Sequence, residues 1–444
     1  MHKILILTYD FPPYVSVGGL RPYSWYKYLH EYGVHPVVIT RQWSNKYGNY
    51  LDYIAPGESN STIIESKNES TLIKTSYQPN LANKLMIKYG ESKFKFIRKL
   101  ISGFYEISQF ILPIGPKSNL YFEAKKYLST NKVDVIIATG DPFILFGYAS
   151  KLSKKYNTPW IADYRDPWSQ KQYIQNNLIS RIWHSFLEKK IITSASVVVT
   201  VSEFLKTKIS QLIKNKPFLI LPNGYDPEAI NETKNTIQEN ECLNIAFVGS
   251  IYEWHPINIF LSVITKFITS HPDSKIKINF YGTNKNSQLK ETISNDFKPL
   301  LNYVFIHKKT ENKFILKELA KQNVMLLFND YSILGTKIYD YIGLNRLILL
   351  CFKNDPESLI LKSKYFPLKD DNALNNLQEE LINKTNSGII INNSKHLEEV
   401  IQKIYSEFSK EKTVKCNTIN SENYSRKHQV KELSDLIIKI VSQK

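Results

Sequence analysis

Three observations predict an α/β fold with two parallel-sheet domains. Short apolar runs rich in Val and Ile alternate with helical patterns, as in sheets covered by helices on both faces. The opening pattern, a strand running into glycine, occurs twice, once near each end of the first 250 residues. At 444 residues the chain is also long for a single core.

The first strand is read over 3–8, where Lys3 leads into Ile-Leu-Ile-Leu-Thr. Pro12 and Pro13 end it, since neither can donate to a sheet ladder. Gly18 and Gly19 follow as a loop, free to take backbone conformations closed to other residues and to approach a ligand. A helix pattern places Trp25, Leu29 and Tyr32 near one face, ends at Gly33, and gives way to a second strand at 36–40. Strand, glycine loop, helix and strand begin a nucleotide-type α/β domain, where anions sit at the helix N-terminus. The G-x-G-x-x-G spacing of a dinucleotide fingerprint is missing, so a nicotinamide or flavin enzyme is not indicated.

Further strands of this half are expected at 133–138, 159–163, 197–201 and 218–221. The tract 44–80, rich in Asn, Ser and Gly, reads as surface loops. Residues 81–112 interleave Lys84, Lys88, Lys93, Lys95, Arg98 and Lys99 with apolar residues, a basic amphipathic helix pattern. Such a helix either lies in a membrane interface with its lysines toward lipid phosphates or packs on its own domain. The polar stretch 231–241 reads as an interdomain linker. The second half repeats the plan, with strands at 243–248, 275–281, 303–306, 324–328, 346–351 and 387–391 and helices at 258–269, 396–408 and 424–441. The domains are drawn as 1–230, 231–415 and a closing helical segment 416–444. Two such domains are expected to face each other across a ligand cleft.

Composition bounds the function. Lys and Arg number 58 against 41 Asp and Glu, a net charge of +17 that favours anionic partners or reflects a lysine-rich composition alone. No RRM-like recognition motif points to nucleic acid. No apolar run approaches the ~18 residues that cross a bilayer. The first segment reads as a strand, not a signal peptide. Cys242, Cys351 and Cys416 are too few and too scattered for a disulfide framework or a zinc cluster, which fits a cytoplasmic setting.

The densest polar and aromatic tract is 158–168, following directly on a strand and therefore at the carboxyl edge of the sheet, where such sheets bind ligands. Asp163 and Asp166 can accept hydrogen bonds from sugar hydroxyls, and Arg165 can pair with them or with a phosphate. An Arg165–Asp166 pair that only locks a loop is the alternative. Gly140 ends the preceding strand and is placed at the same edge. In the second half, Gly335 and Thr336 can begin a helix whose free N–H groups meet a diphosphate, with Lys337 as a point charge and Asp340 one turn along for ribose hydroxyls. An ordinary capped helix is the alternative there.

With these segments in order, together with 221–226, 246–250 and 424–433, the chain resembles glycosyltransferases of the GT-B fold, close to family 4 of the bacterial surface-polysaccharide type. The resemblance implies that Gly18 and Gly19 approach a donor diphosphate and the acceptor, and that Arg21 contacts phosphate or acceptor. It implies that Gly249 and Ser250 line the donor site, with His255 the nearest basic candidate beyond them. Asp340 matches the second carboxylate of the family's paired-glutamate motif, which binds the ribose, and Lys337 stands toward the diphosphate. The first carboxylate would fall near Ser332, which is not acidic. Asp163 stands where a histidine is often found, and is taken with Gly19 and Lys337 as catalytic. The final helix would cross back to the first domain. The implied reaction is a retaining transfer without metal or cofactor, from a UDP- or GDP-sugar to a lipid-linked or growing surface glycan. It would run in the cytoplasm, either free or with residues 81–112 on the inner membrane face. A GT-B relative with epimerase or phosphorylase chemistry, and a non-enzymatic basic protein, are the rival readings.

Overall fold

The computed structural model describes residues 1–44, 50–170, 178–310, 312–365 and 376–443. The chain divides into two units, Met1–Asn223 with Arg426–Lys444, and Gly224–Ser425. The divisions fall before residue 230 and after residue 416, the boundaries read from the sequence.

The first unit holds eight strands: β1 His2–Leu7, β2 Val34–Arg41, β3 Ile63–Ser66, β4 Thr71–Thr75, β5 Val135–Gly140, β6 Trp160–Tyr164, β7 Val197–Thr200 and β8 Phe218–Ile220. Their order is β3-β4-β2-β1-β5-β6-β7-β8, parallel throughout except for the antiparallel β3–β4 pair. Strand alternation sorts β1 between two cores: Leu5 and Leu7 pack with Val37 and Ile39 on one face, Ile4 and Ile6 with Val38 and Trp25 on the other. The second face is completed from the far end of the chain. Val430, Leu433 and Ile437 of helix Arg426–Ser442 are buried in that cluster, so the closing helix does cross back to the first unit.

The second unit is a six-stranded, wholly parallel sheet of β9 Leu243–Val248, β10 Ile276–Tyr281, β11 Val304–His307, β12 Val324–Phe328, β13 Leu347–Cys351 and β14 Gly388–Ile391. Its order is β11-β10-β9-β12-β13-β14. Leu243, Ile245 and Phe247 enter one core and Ala246 the other.

Three expectations are corrected. The 44–80 tract is not all surface loop: β4 pairs parallel with β2 and buries Leu72, Ile73 and Thr75. Five residues amid polar neighbours are too short a run to stand out; positions 45–49 lie outside the described residues. Residues 81–112 form two helices, Leu81–Tyr89 and Lys95–Ile111, broken at Gly90. Gly18 and Gly19 form the first turn of helix Val17–Tyr28, not a loop, and neither takes a left-handed φ.

Leu433→Ala removes a buried side chain from the shared core and should cost the first unit about 2–5 kcal/mol, read as a lower urea midpoint for its unfolding transition.

Candidate functional site

In each sheet the strand order reverses beside the first strand of the unit, between β1 and β5 and between β9 and β12. Connections leaving neighbouring strands on opposite faces part at such a point and open a crevice at the carboxyl ends. The segments after β1 and β5, and after β9 and β12, are thereby the candidate sites of the two units.

At the first edge, Ser16 caps helix Val17–Tyr28. Its Oγ accepts from the Gly18 amide at 3.1 Å and donates to Asp10 Oδ2 at 2.6 Å. Gly19 N–H is likewise taken, by the Ser16 carbonyl at 3.1 Å. A Cβ at Gly18 would lie 2.1 Å from Arg165 Nη1 and 2.7 Å from Asp10 Oδ2, so the ends of those two side chains would have to shift. Arg165 donates through Nε to the Gly140 carbonyl and through Nη2 to that of Asp141, both at 2.7 Å. The structure thus brings Gly18, Gly140 and Arg165 together at one edge, and adds Asp10. Burial pushes the Asp10 carboxyl above the ordinary range, against the Ser16 hydrogen bond and the Arg165 charge. Asp10 Oδ1 makes no hydrogen bond. Lys117 is a further addition. Its ammonium lies 5.6 Å over the Tyr9 ring, and burial pulls it below the ordinary lysine range, opposed by Asp141 and Asp10. An acid in a turn and a lysine among many carried no sequence signal. Asp166 is exposed.

Asp163 and Arg21 are corrected. The sequence suggests a catalytic carboxylate and a phosphate or acceptor contact; the structure pairs them with each other. Asp163 is 1 % exposed and Arg21 6 %. Asp163 Oδ1 accepts from Arg21 Nε at 3.0 Å and lies 2.9 Å from Nη2 in an ion pair, while Arg21 Nη1 donates to the Leu221 carbonyl at 2.8 Å and Asp163 Oδ2 makes no hydrogen bond. The pair ties the first helix, the end of β6 and the chain beyond β8 into one block.

In the second unit Gly249, at φ 110°, turns the chain off β9 in a conformation that L side chains rarely adopt, with its N–H held by the Tyr281 carbonyl at 3.1 Å. Ser250 is exposed beyond it. His255 is not an open phosphate ligand. It is 8 % exposed, Nδ1 accepts from the Tyr252 amide at 3.3 Å, and the proton this leaves on Nε2 is donated to Asp330 Oδ1 at 2.8 Å. Trp254 Nε1 donates to the same oxygen at 3.0 Å. Asp330, just past β12, was missed; an acid closing an apolar strand is the signal that could have found it. Gly335 and Thr336 precede a short helix, Lys337–Gly343, with no side-chain cap. Asp340 is 4 % exposed, and the half-buried Lys337 ammonium lies 3.7 Å from its Oδ2. Tyr341 of the same helix accepts from the Val248 amide at 3.2 Å, which holds the helix to the end of β9. Among the described residues no three His, Cys, Asp or Glu side chains group to hold a metal ion.

Comparison with known proteins bears on this geometry. Residues 95–229 match the model of Glycosyltransferase Family 4. No curated protein sequence matches the chain. Among solved structures, the chain is similar to an α,α-trehalose-phosphate synthase (UDP-forming) from Burkholderia xenovorans in complex with glucose-6-phosphate, at 10 % identity and a TM-score of 0.60 with both chains fully covered. It is similar to sucrose-phosphate synthase from Thermosynechococcus elongatus, at 13 % identity and a TM-score of 0.57, covering 100 % of this chain and 97 % of that one. A glycosyltransferase from Rickettsia africae matches at 14 % identity and a TM-score of 0.54, covering 100 % and 99 %. At these identities the likeness is one of fold, and the fold is GT-B. On that fold, residues 95–229 carry the match to the Glycosyltransferase Family 4 model.

Arg21→Ala strands a buried carboxylate and should destabilise the first unit by about 3–5 kcal/mol. The double change Arg21→Met, Asp163→Leu should recover much of that in urea titrations. Asp10 predicts a pH effect. Its folded form holds the proton more tightly than the unfolded chain does, so its contribution is present at low pH and is lost as pH climbs from the ordinary 3.8 through the raised folded value. Asp10→Asn should flatten that part of the stability profile and raise the melting temperature at neutral pH.

Proposed function

We propose that the chain moves a sugar from a UDP- or GDP-linked donor to a lipid-linked or growing surface glycan, with retention at the anomeric carbon and without a metal. The single observation that carries the donor half is the Lys337–Asp340 pair, seated where the second sheet changes direction, one ammonium and one carboxylate 3.7 Å apart. In transfer, the bond from the anomeric carbon to the diphosphate oxygen breaks and its electron pair leaves with the diphosphate. The acceptor hydroxyl oxygen forms the new bond, and its proton passes to the leaving phosphate. Negative charge grows on the diphosphate as the sugar becomes oxocarbenium-like. A fixed ammonium such as Lys337 stabilises that charge more than the ground state. Asp340 accepts from ribose hydroxyls. Gly249 and Ser250 give the nucleotide sugar a close backbone approach, with Asp330 supplying the acid that position 332 lacks. In the first unit, Gly18, Gly140 and Arg165 shape the acceptor edge, and the Arg21–Asp163 pair is their support.

A second acceptor class is a soluble sugar phosphate. The Burkholderia xenovorans neighbour holds glucose-6-phosphate, and the desolvated Lys117 ammonium is suited to a phosphate. A lipid-linked acceptor instead sets the enzyme on the inner face of a membrane, with residues 81–112 against anionic headgroups.

Calorimetric titration with UDP-, GDP- and dTDP-sugars tests the donor claim. One should bind, and Asp340→Ala should weaken it by about tenfold or more, the loss of a charged hydrogen-bond pair, without lowering the melting temperature of the free protein. Donor turnover in EDTA should match turnover with added Mg²⁺. No binding by any of the three, or unchanged affinity in Asp340→Ala, would overturn the assignment.

A further inference from the structure

Helix Lys95–Ile111 has no buried residue, and its most apolar face points away from the protein. Phe96, Leu100, Phe104, Ile107 and Ile111 recur at steps of four, four, three and four residues, which at about 100° per residue sets them in one stripe. Their exposures run from 51 % at Ile107 to 73 % at Phe96. Contacts to the rest of the first unit come from the opposite face at Arg98 and from one flank at Glu106 and Phe110. Arg98 reaches the Met86 sulfur at 2.6 Å, Glu106 meets His184 Nε2 at 3.1 Å, and the Phe110 ring stacks on Trp168 at 5.5 Å. The helix is therefore anchored by its polar and aromatic side and presents aliphatic and phenyl groups outward, against the usual sense of an amphipathic surface helix.

Charge selects the occupant. Residues 81–112 carry six basic side chains against two acidic ones. Lys88 and Lys93 are exposed in and after the preceding helix, and Lys95 and Lys99 on the first turns of this one. A second copy of a chain with net charge +17 would bring like charges together at this face. An apolar stripe edged by lysines fits the headgroup–acyl boundary of an anionic bilayer, where phenyl and aliphatic groups leave water and ammonium groups stay at phosphate level. No helix among the described residues is long and apolar enough to cross a membrane, so the contact is interfacial.

We propose that helix Lys95–Ile111 docks the protein on an anionic lipid surface, with Phe96, Leu100, Phe104, Ile107 and Ile111 inserted and the flanking lysines on lipid phosphates. This deepens the membrane location given with the proposed function and rests on that reading only for its purpose, since lipid binding is measured without donor or turnover.

The test is co-sedimentation of the full chain with vesicles of phosphatidylcholine alone and of phosphatidylcholine mixed with phosphatidylglycerol. The chain should sediment with the mixed vesicles and not with the neutral ones, and high salt should release it. Leu100→Asp with Phe104→Asp should weaken vesicle binding at least tenfold, while Ile237→Asp, a still more exposed apolar site in the second unit, should leave it unchanged. Because both altered side chains are exposed, melting should match the parent chain. Equal sedimentation of the parent chain with both vesicles, or with neither, overturns the proposal without reference to any variant. So does lipid-free dimerisation that the double variant abolishes, which would assign the stripe to a second copy. Donor binding by calorimetry stands or falls separately.

Discussion

Arg21 and Asp163 leave water together, and much of the first carboxyl edge is arranged around that event. A lone guanidinium or carboxylate at this depth would cost several kcal/mol, and the cost is offset only when the geometry is good and the remaining donors find acceptors. Here Nε donates to the carboxylate, Nη2 adds an ion-pair contact to the same oxygen, and Nη1 donates to the Leu221 carbonyl. One ion pair therefore links helix Val17–Tyr28 to β6 and to the chain beyond β8. At Gly18 the first turn of this helix runs directly against the side-chain ends of Arg165 and Asp10.

Both units use one topological device. Reversal of strand order beside β1 and beside β9 brings residues far apart in sequence to one edge. Gly18 meets Arg165 there, and His255 meets Asp330. The second edge pairs its charges sparingly. Asp330 receives two N–H donors at one oxygen, while Lys337 lies 3.7 Å from the buried Asp340. Arg21 and Asp163 are buried and tightly bonded, whereas Lys337 keeps part of its side chain in water.

The outward stripe of helix Lys95–Ile111 belongs to another level of organisation. A fold has no use for five large apolar groups in water, and the first unit is complete without them, since its two cores are closed by the sheet, its flanking helices and the C-terminal helix. It is this exposed stripe and its neighbouring lysines that motivate the proposed lipid contact.

Much of the fold was legible because burial imposes periodicity. Val-, Ile- and Leu-rich runs could only be covered parallel strands, and Gly249 could only be a turn off the strand before it. The short β4 was not legible, because its pairing with β2 is what makes Leu72 and Ile73 interior. The sequence alone determined two parallel-sheet units, the points where their strands end in glycine, and a basic amphipathic segment at 81–112. Tertiary structure decided which charges are spent on one another. Arg21 and Asp163 lie 142 residues apart, and no local pattern announces their meeting. Pairing between distant side chains is set by strand order and by the cost of burying a lone charge, and both of these exist only once the chain has folded.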